Sequence, residues 1–268
     1  QIFNRLKSRY SITNLVFAFL GGWILLFILA PIAGMFLKTE GALLLQTATD
    51  KEVINSIWLT IWISMLTTLL FALFAIPLAY LMARRNFIGK RLVSGLIDLP
   101  VVIPHSAAGI ALLGFICSGS VLGKTAGFLG FDMVSNTPGI ALAMAFVSIP
   151  FLVNAARDGF EAVPVRLEKA ALSLGASNMQ TFFKISLPLA GRSIVSGLIM
   201  MFARGMSEFG AIVIIAYHPM VTPVLIFERF SSFGLSYARP VAVIFVCICL
   251  AFFILIRFLT KKDKHATP

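Results

Sequence analysis

Residues 55–83 read NSIWLTIWISMLTTLLFALFAIPLAYLMA, an uncharged and mostly apolar run that ends at the pair Arg84 and Arg85. A helix needs about 20 such residues to cross the hydrocarbon core of a bilayer. A water-soluble fold could not hide a chain built from such runs, so a nonaqueous solvent is implied. The stretch therefore predicts a helix that crosses a membrane.

The whole chain has a matching composition. Its 268 residues are 59% hydrophobic and 12% charged, whereas about 25% of residues in soluble domains are charged. We expect an all-α integral membrane protein with six transmembrane helices in a single domain over residues 1–268. The predicted spans are 12–37, 55–83, 92–117, 138–156, 193–217 and 239–258. The first span is too long for the apolar region of a signal peptide, about 7–15 residues, and is read as retained.

The basic residues predict the orientation of these spans. A net charge of +11 would suggest nucleic acid in a soluble protein, but here Lys and Arg cluster at the ends of apolar stretches. With the N-terminus inside, sixteen Lys and Arg are cytoplasmic and five are external. The sixteen are three before the first span, four in 84–91, five in 157–192 and four from 257 onward. The bias predicts cytoplasmic termini, a multi-pass protein of the cell membrane and no nucleic-acid partner.

The segment between the fourth and fifth spans, residues 157–192, contains PVRLEKAALSLG at 164–175. Pro164 suits the first turn of a helix, and Gly175 suits a left-handed turn that ends it. Apolar residues at i, i+3, i+4 and i+7 give this helix one apolar face. That face comprises Leu167, Ala170, Ala171 and Leu174, and Arg166, Glu168 and Lys169 lie largely off it. We expect a second short helix over Met179–Ile185 that stops before Pro188.

Physical chemistry alone leaves two interpretations of the amphipathic helix. It lies on the membrane surface, or it docks into a groove of a partner protein. The residues themselves favour neither.

The spacing of Ala170-Ala171, Gly175, Ile185 and Leu187-Pro188 resembles the EAA loop of permease subunits of binding-protein-dependent ABC importers. Lys169 stands where that family has Glu, although Glu168 is its neighbour. The resemblance implies a type I ABC importer permease architecture, with a cytoplasmic helix that couples the permease to an ATPase. The coupling residues it implies are Arg166, Leu167, Glu168, Lys169, Ala170, Ala171, Leu174, Gly175, Ala176, Ile185, Leu187 and Pro188.

Three further segments look like oxyanion permeases, and most closely like those for molybdate and tungstate. They are DLPVVIPHS at 98–106, ARGMSEFG at 203–210 and AYHPMVTPVLIFERF at 216–230. The resemblance implies a homodimer, two cytoplasmic ATPase subunits that use ATP and Mg, and an external substrate-binding protein. This chain would bind no cofactor itself. The alternatives are a sulfate or other oxyanion permease, or pairing with a different permease subunit.

Ionisable groups within the predicted spans point to a translocation path. Arg204 lies roughly 18 Å into the fifth span at a rise of about 1.5 Å per residue, and Glu208 follows one turn later. Either the two neutralise each other and pin helices together, or Arg204 borders the path of an anion. Both interpretations remain open.

Pro100 and Pro104 should break or kink the third span. Irregular backbone at membrane depth occurs where it is buried in protein or lines a cavity. We expect the break to contribute to the path or its gate; the alternative is a plain bend with a buried, hydrogen-bonded His105. The predicted path residues are Asp98, Pro100, Pro104, His105, Ser106, Arg204 and Glu208.

Other classes of function fit less well. Gly119 and Gly123 enclose three residues, whereas a P-loop needs four, so we expect ATP hydrolysis on another chain and no catalytic residue here. The three histidines are far apart, and no metal site is predicted. A gradient-driven carrier would commonly show inverted repeats, and no second half matches the first. A membrane enzyme would need polar groups that converge at one depth, and Arg204 and Glu208 alone come close.

Overall fold

The computed structural model describes residues 12–260, with side chains to residue 255, and this part of the chain is helical without a strand. The all-α expectation is thereby confirmed. The helices are α1 (Ile12–Leu37), α2 (Gly41–Ala48), α3 (Lys51–Arg84), α4 (Lys90–Val102), α5 (His105–Ile116), α6 (Val121–Phe128), α7 (Thr137–Ala162), α8 (Val165–Ser173), α9 (Asn178–Met206), α10 (Ile212–Ile215), α11 (Thr222–Phe233) and α12 (Leu235–Thr260).

Some predictions lie outside the described residues. These are the basic residues at the two ends of the chain that contribute to the predicted orientation, together with one histidine: Arg5, Lys7, Arg9, Lys261, Lys262, Lys264 and His265. The side chain of Arg257 is also outside the description.

Five of the described helices are long and apolar enough to cross a membrane, namely α1, α3, α7, α9 and α12. The pair α4 and α5 passes the same test together, but the chain bends by 111° between the two helices. The described residues therefore contain five candidate spans, or six if the bent pair is one span.

Helices α3, α7 and α9 form the centre of the molecule. Small residues line the contacts and let the backbones approach closely, as is usual between membrane helices. They include Ala75 and Ala79 of α3, Ala156 and Gly159 of α7, and Ala190 and Gly197 of α9, all buried. Ser64 on α3 also donates a hydrogen bond to the Phe202 carbonyl of α9 at 2.8 Å. Close packing and hydrogen bonds together fix these helices relative to one another.

The predicted break in the third span, 92–117, is confirmed. The span is broken between Val102 and His105. Ile103 is extended, with ψ 144°, as expected for a residue that precedes proline, and Pro104 is extended at ψ 134°. Pro100 lies inside α4 and is buried without ending it. The second proline of the pair therefore produces the break, and the first is accommodated in the helix.

The predicted end of the fifth span, 193–217, is wrong. Helix α9 ends at Met206, and irregular backbone separates it from the short helix α10. The carboxylate of Glu208 accepts a hydrogen bond from the Ala211 N–H at 2.9 Å. This bond satisfies a backbone donor that has left the helix, which makes the break tolerable.

The start of α9 corrects the predicted second short helix. Rather than stopping before Pro188, the helix continues through it, because a π turn at Phe182–Ser186 precedes the proline. Leu187 N–H bonds to the Phe182 carbonyl, so the wide turn takes up the disruption. Helix α7 also extends to Ala162. The connection between the two long helices is therefore residues 163–177, shorter than the predicted 157–192.

A glycine contact between α7 and α9 tests this packing. A Cβ at Gly159 would lie 2.5 Å from Ser193 Cβ, whereas one at Gly191 on α9 would meet nothing within 4 Å. We expect Gly159→Ala to destabilise the protein by about 1–3 kcal/mol through overpacking. Gly191→Ala, the matched control, should be neutral or stabilising by up to about 1 kcal/mol. Thermal unfolding in detergent measures both; equal melting temperatures for the two variants would contradict the packing described.

Candidate functional site

Helix α8 is suspended between the ends of two long helices. It follows α7 after Val163 and Pro164 and ends at Ser173, with Leu174 as its C-cap. Gly175 has φ +90°, the left-handed conformation that the sequence predicts for it. Ser177 then begins α9 with a reciprocal capping box to Gln180. Short connections at both ends give α8 a defined position at one end of the bundle.

The apolar face of α8 is turned away from the bundle. Leu167 is 41% exposed and Leu174 is 89% exposed. Arg166, Lys169 and Ala170 are also exposed, and Ala171 is half-buried. Apolar side chains that the chain itself leaves uncovered at this end are typical of an interaction surface.

Glu168 is the exception, because it points into the protein and is 6% exposed. Arg84 Nε donates to both of its carboxylate oxygens, at 3.0 and 2.9 Å. Arg84 Nη2 donates to Oε1 at 2.9 Å and to the Val163 carbonyl at 3.0 Å, and Ser186 Oγ donates to Oε1 at 2.6 Å. We call this group, Arg84, Val163, Glu168 and Ser186, the carboxylate clamp. From the sequence, Arg84 is predicted to be an orienting charge alone, and no role is predicted for Ser186.

The remaining coupling residues lie where α9 begins. Ile185 is half-buried in the π turn, and Leu187 and Pro188 follow it, one half-buried and the other exposed. Phe182 of the same turn packs on Tyr80 of α3, with ring centroids 4.9 Å apart. The wide turn is thus held against α3 beside the carboxylate clamp.

A second polar cluster forms where the two breaks in the long helices meet. Arg204 Nη2 donates to Glu208 Oε2 at 2.8 Å and lies 2.8 Å from His105 Nε2. Arg204 Nη1 donates to Ser207 Oγ at 3.2 Å. A Cβ at Gly210 would approach His105 Cβ to 2.8 Å, so the two breaks are in close contact. We call Arg204, His105 and Glu208 the break cluster.

The two ring nitrogens of His105 have different surroundings in the break cluster. A guanidinium can only donate, so Nε2 is the acceptor toward Arg204, and the other ring nitrogen is Nδ1. That nitrogen lies 4.0 Å from Glu208 Oε2. It has no hydrogen-bond partner within the described part of the chain. The Glu208 side chain is 1% exposed and that of Arg204 is 22% exposed, so the carboxylate is buried and the arginine is partly accessible.

Of the other predicted path residues, Asp98 lies apart from the break cluster. It accepts a hydrogen bond from Asn154 Nδ2 at 2.6 Å. Both residues line a groove of about 420 Å³ that Val102, Pro150 and Met200 also border. Pro104 and Ser106 are exposed at the break. Sequence reasoning missed Asn154 and the contact between His105 and Arg204, since neither contact is local in the chain.

A third charged cluster lies at the opposite end of α3 from Arg84. Arg229 of α11 donates to Asp50 at 2.6 Å and to Glu52 at 2.9 Å. These residues border a cavity of about 670 Å³ together with Glu228 and Tyr237. The hydrogen bond from Arg229 holds the pKa of Asp50 below its ordinary value. From the sequence, Arg229 is predicted only to be one of the five external charges.

Comparison with known proteins identifies the family. The model of the family described as "Binding-protein-dependent transport system inner membrane component" matches residues 75–264. The molybdate/tungstate transport system permease protein WtpB of Thermococcus kodakarensis is 44% identical over 258 residues, which are 96% of this chain and 99% of that protein. The probable sulfate transport system permease protein cysT of Marchantia polymorpha is 34% identical, over 89% of this chain and 86% of that protein.

A solved structure supports the architecture. The crystal structure of a bacterial ABC transporter involved in the import of the acidic polysaccharide alginate contains a chain with a TM-score of 0.75 and 17% identity. The match covers 98% of this chain and 99% of that one. The expected type I ABC importer permease fold is thereby confirmed.

The Asp50–Arg229 pair predicts a pH dependence of stability. A lowered folded-state pKa stabilises the native protein above the ordinary Asp pKa of about 3.9, and this stability is lost as pH falls through the folded value. At pH 7 Asp50→Asn, which keeps a side-chain acceptor at the start of α3, should cost up to about 1 kcal/mol, since the pair is partly exposed. The cost should decrease as pH falls below about 3.9. Thermal unfolding in detergent from pH 7 to 3 measures it.

The matched control repeats the substitution in an Arg229→Gln background. With no guanidinium to pair, Asp50→Asn should have little effect at any pH. A cost that persists unchanged in that background would contradict the assignment of the shift to Arg229.

Proposed function

This chain belongs to the family of binding-protein-dependent transport system inner membrane components, and we propose that it is the permease subunit of an ATP-driven importer of molybdate and tungstate. The observation that carries the proposal is the exposed apolar face of α8, within a chain 44% identical to a molybdate/tungstate permease over 96% of its length. An integral membrane protein with this uncovered helix at one end offers a surface on which a separate ATPase subunit can dock.

The oxyanion class is supported by two relatives of different identity. The molybdate/tungstate permease is 44% identical, and the probable sulfate permease is 34% identical. Sulfate, molybdate and tungstate are all tetrahedral dianions, so a shared path chemistry is expected. The higher identity favours molybdate and tungstate, and sulfate is the less supported alternative.

We assign ATP hydrolysis to separate subunits. The distribution of charges along the chain, with its excess of Lys and Arg on the side of α8, supports a cytoplasmic position for this helix. Two copies of the permease would each dock α8 on one ATPase subunit, which supplies the site for ATP and Mg. A substrate-binding protein would deliver the oxyanion at the other face. Closure of the ATPase pair would then switch the path between its two openings.

The break cluster is the proposed point of contact with the anion. Arg204 is charge-balanced by Glu208, and its side chain is partly exposed. A guanidinium in this state attracts a dianion without holding it tightly, because its charge is already partly satisfied. Weak binding suits a path from which substrate must leave. Arg204 also contacts His105 and Ser207, which lie at the two breaks in the helices. Irregular backbone occurs at membrane depth beside cavities, so these contacts support the same role.

The first experiment tests docking through α8. The chain is reconstituted with its candidate ATPase and binding protein, and ATP hydrolysis is measured with and without molybdate. Leu174→Asp should weaken association with the ATPase by about 30-fold, the loss of roughly 2 kcal/mol that a central interface residue contributes. Ser173→Asp, an exposed neighbour on the same helix, should bind normally.

The outcomes separate the functional classes. Hydrolysis stimulated by loaded binding protein, and lost in Leu174→Asp, supports the importer. A wild-type chain that associates with no ATPase contradicts it and favours a gradient-driven carrier.

A second experiment separates the two interpretations of Arg204. Arg204→Gln should lower molybdate uptake into proteoliposomes about tenfold or more, since hydrogen bonds to charged groups contribute roughly 1.5–3 kcal/mol. It should also lower stability, because Glu208 is left buried without its cation.

The double variant Arg204→Gln and Glu208→Gln is the control. Removal of both charges should restore thermal stability, while uptake should stay low if Arg204 contacts the anion. Recovery of uptake together with stability would show that the pair is structural and would contradict the proposed path.

A further inference from the structure

We propose that the carboxylate clamp is the mechanical link of this importer, with Arg84 and Ser186 as positioning residues that hold Glu168. The inference rests on the proposed function, because it concerns how motion of α8 reaches the spans. It also assigns Glu168 an inward role, in place of the contact with an ATPase that the EAA resemblance implies.

The clamp joins three elements through one side chain. Oε1 of Glu168 accepts from two nitrogens of Arg84 and from Ser186 Oγ, and Oε2 accepts from Arg84 Nε. Arg84 lies at the end of α3, and Ser186 lies in the π turn of α9. The side chains of Arg84 and Glu168 are 11% and 8% exposed. A planar guanidinium fork on a carboxylate fixes orientation as well as distance.

Apart from Glu168, the residues of α8 contribute little to its attachment to the long helices. Within this helix Glu168 is the buried residue, and the apolar side chains on either side of it are exposed. Apart from the chain connections at Pro164 and Gly175, the clamp is therefore the main hold of the long helices on α8. A force applied to the exposed face of α8 would reach the bundle through Glu168.

The two helices that the clamp joins to α8, α3 and α9, both lead to sites already described. Helix α3 runs from Arg84 through 34 residues to the Asp50–Arg229 cavity, or about 50 Å at 1.5 Å per residue. Helix α9 runs from Ser186 to Arg204 of the break cluster, roughly 27 Å at the same rise. Rigid helices carry displacement over such lengths. The π turn at Ser186 provides a local irregularity of the kind often found at functional positions.

A clamp that merely stabilises the fold makes a different prediction from one that transmits motion. Loss of a structural pin lowers yield and melting temperature, but complexes that do assemble work normally. Loss of a mechanical link leaves assembly intact and lowers the amount of molybdate moved per ATP hydrolysed. The discriminating readout is this ratio, measured on complexes purified with a full complement of ATPase.

The test uses Arg84→Gln and Ser186→Ala in the reconstituted complex of permease, ATPase and binding protein. Arg84→Gln should lower molybdate moved per ATP by about fivefold or more, within the usual range for coupling between sites. Ser186→Ala removes a single hydrogen bond with little change of volume and should give a smaller loss in the same direction. It keeps the test decisive if Arg84→Gln fails to fold. Arg84→Lys keeps the charge but loses the fork, so it should recover the ratio in part.

Arg85→Gln is the matched control, since it removes the same charge from the adjacent, exposed residue. It should leave the ratio at its wild-type value. A wild-type ratio in assembled Ser186→Ala and Arg84→Gln complexes would overturn this inference and leave the proposed function standing. A wild-type chain that binds no ATPase would overturn the proposed function and the inference with it.

Discussion

Every backbone N–H and C=O in the hydrocarbon of a bilayer needs a partner within the protein. This constraint makes the described chain helical, and it allows helices to break where protein groups replace the lost bonds. Glu208 shows how this is done, because one carboxylate oxygen accepts the Ala211 N–H while the other accepts from Arg204. The second break, at Pro104, packs against the first through the contact of His105 with Gly210. Two irregular segments that would each be costly alone thus support one another.

A related solution, an arginine shared between two acceptors of a neighbouring element or connection, recurs at both ends of α3. At one end Arg84 binds Glu168 and the Val163 carbonyl, and at the other Arg229 binds Asp50 and Glu52. The planar, multiply donating guanidinium suits this task better than an ammonium group. In a core made mostly of small and apolar residues, these arginine contacts set which helix ends stay together.

Family likeness and local chemistry contribute different parts of the functional argument. The match over residues 75–264 identifies an importer permease, and the exposed face of α8 gives that identity a physical surface. The orientation of Glu168 follows from neither. It comes from the hydrogen bonds of Glu168, which turn this side chain toward the bundle. Glu168 is the acidic residue next to position 169, where the family has its glutamate.

The sequence by itself determined what depends on neighbours in the chain. The membrane class, the apolar segments, the amphipathic helix at 164–175 with its left-handed Gly175, and a break near Pro104 all follow from local composition and backbone preference. The end of α9 could not be predicted in this way. The residues of α10 are as apolar as those of a span, and no proline marks the break before them. Tertiary structure alone decided that Arg204 meets His105, 99 residues away, and that Arg84 meets Glu168, 84 residues away. A charge at the end of an apolar run looks the same in sequence whether it faces water or holds a buried carboxylate, because its partner is chosen by how the helices pack.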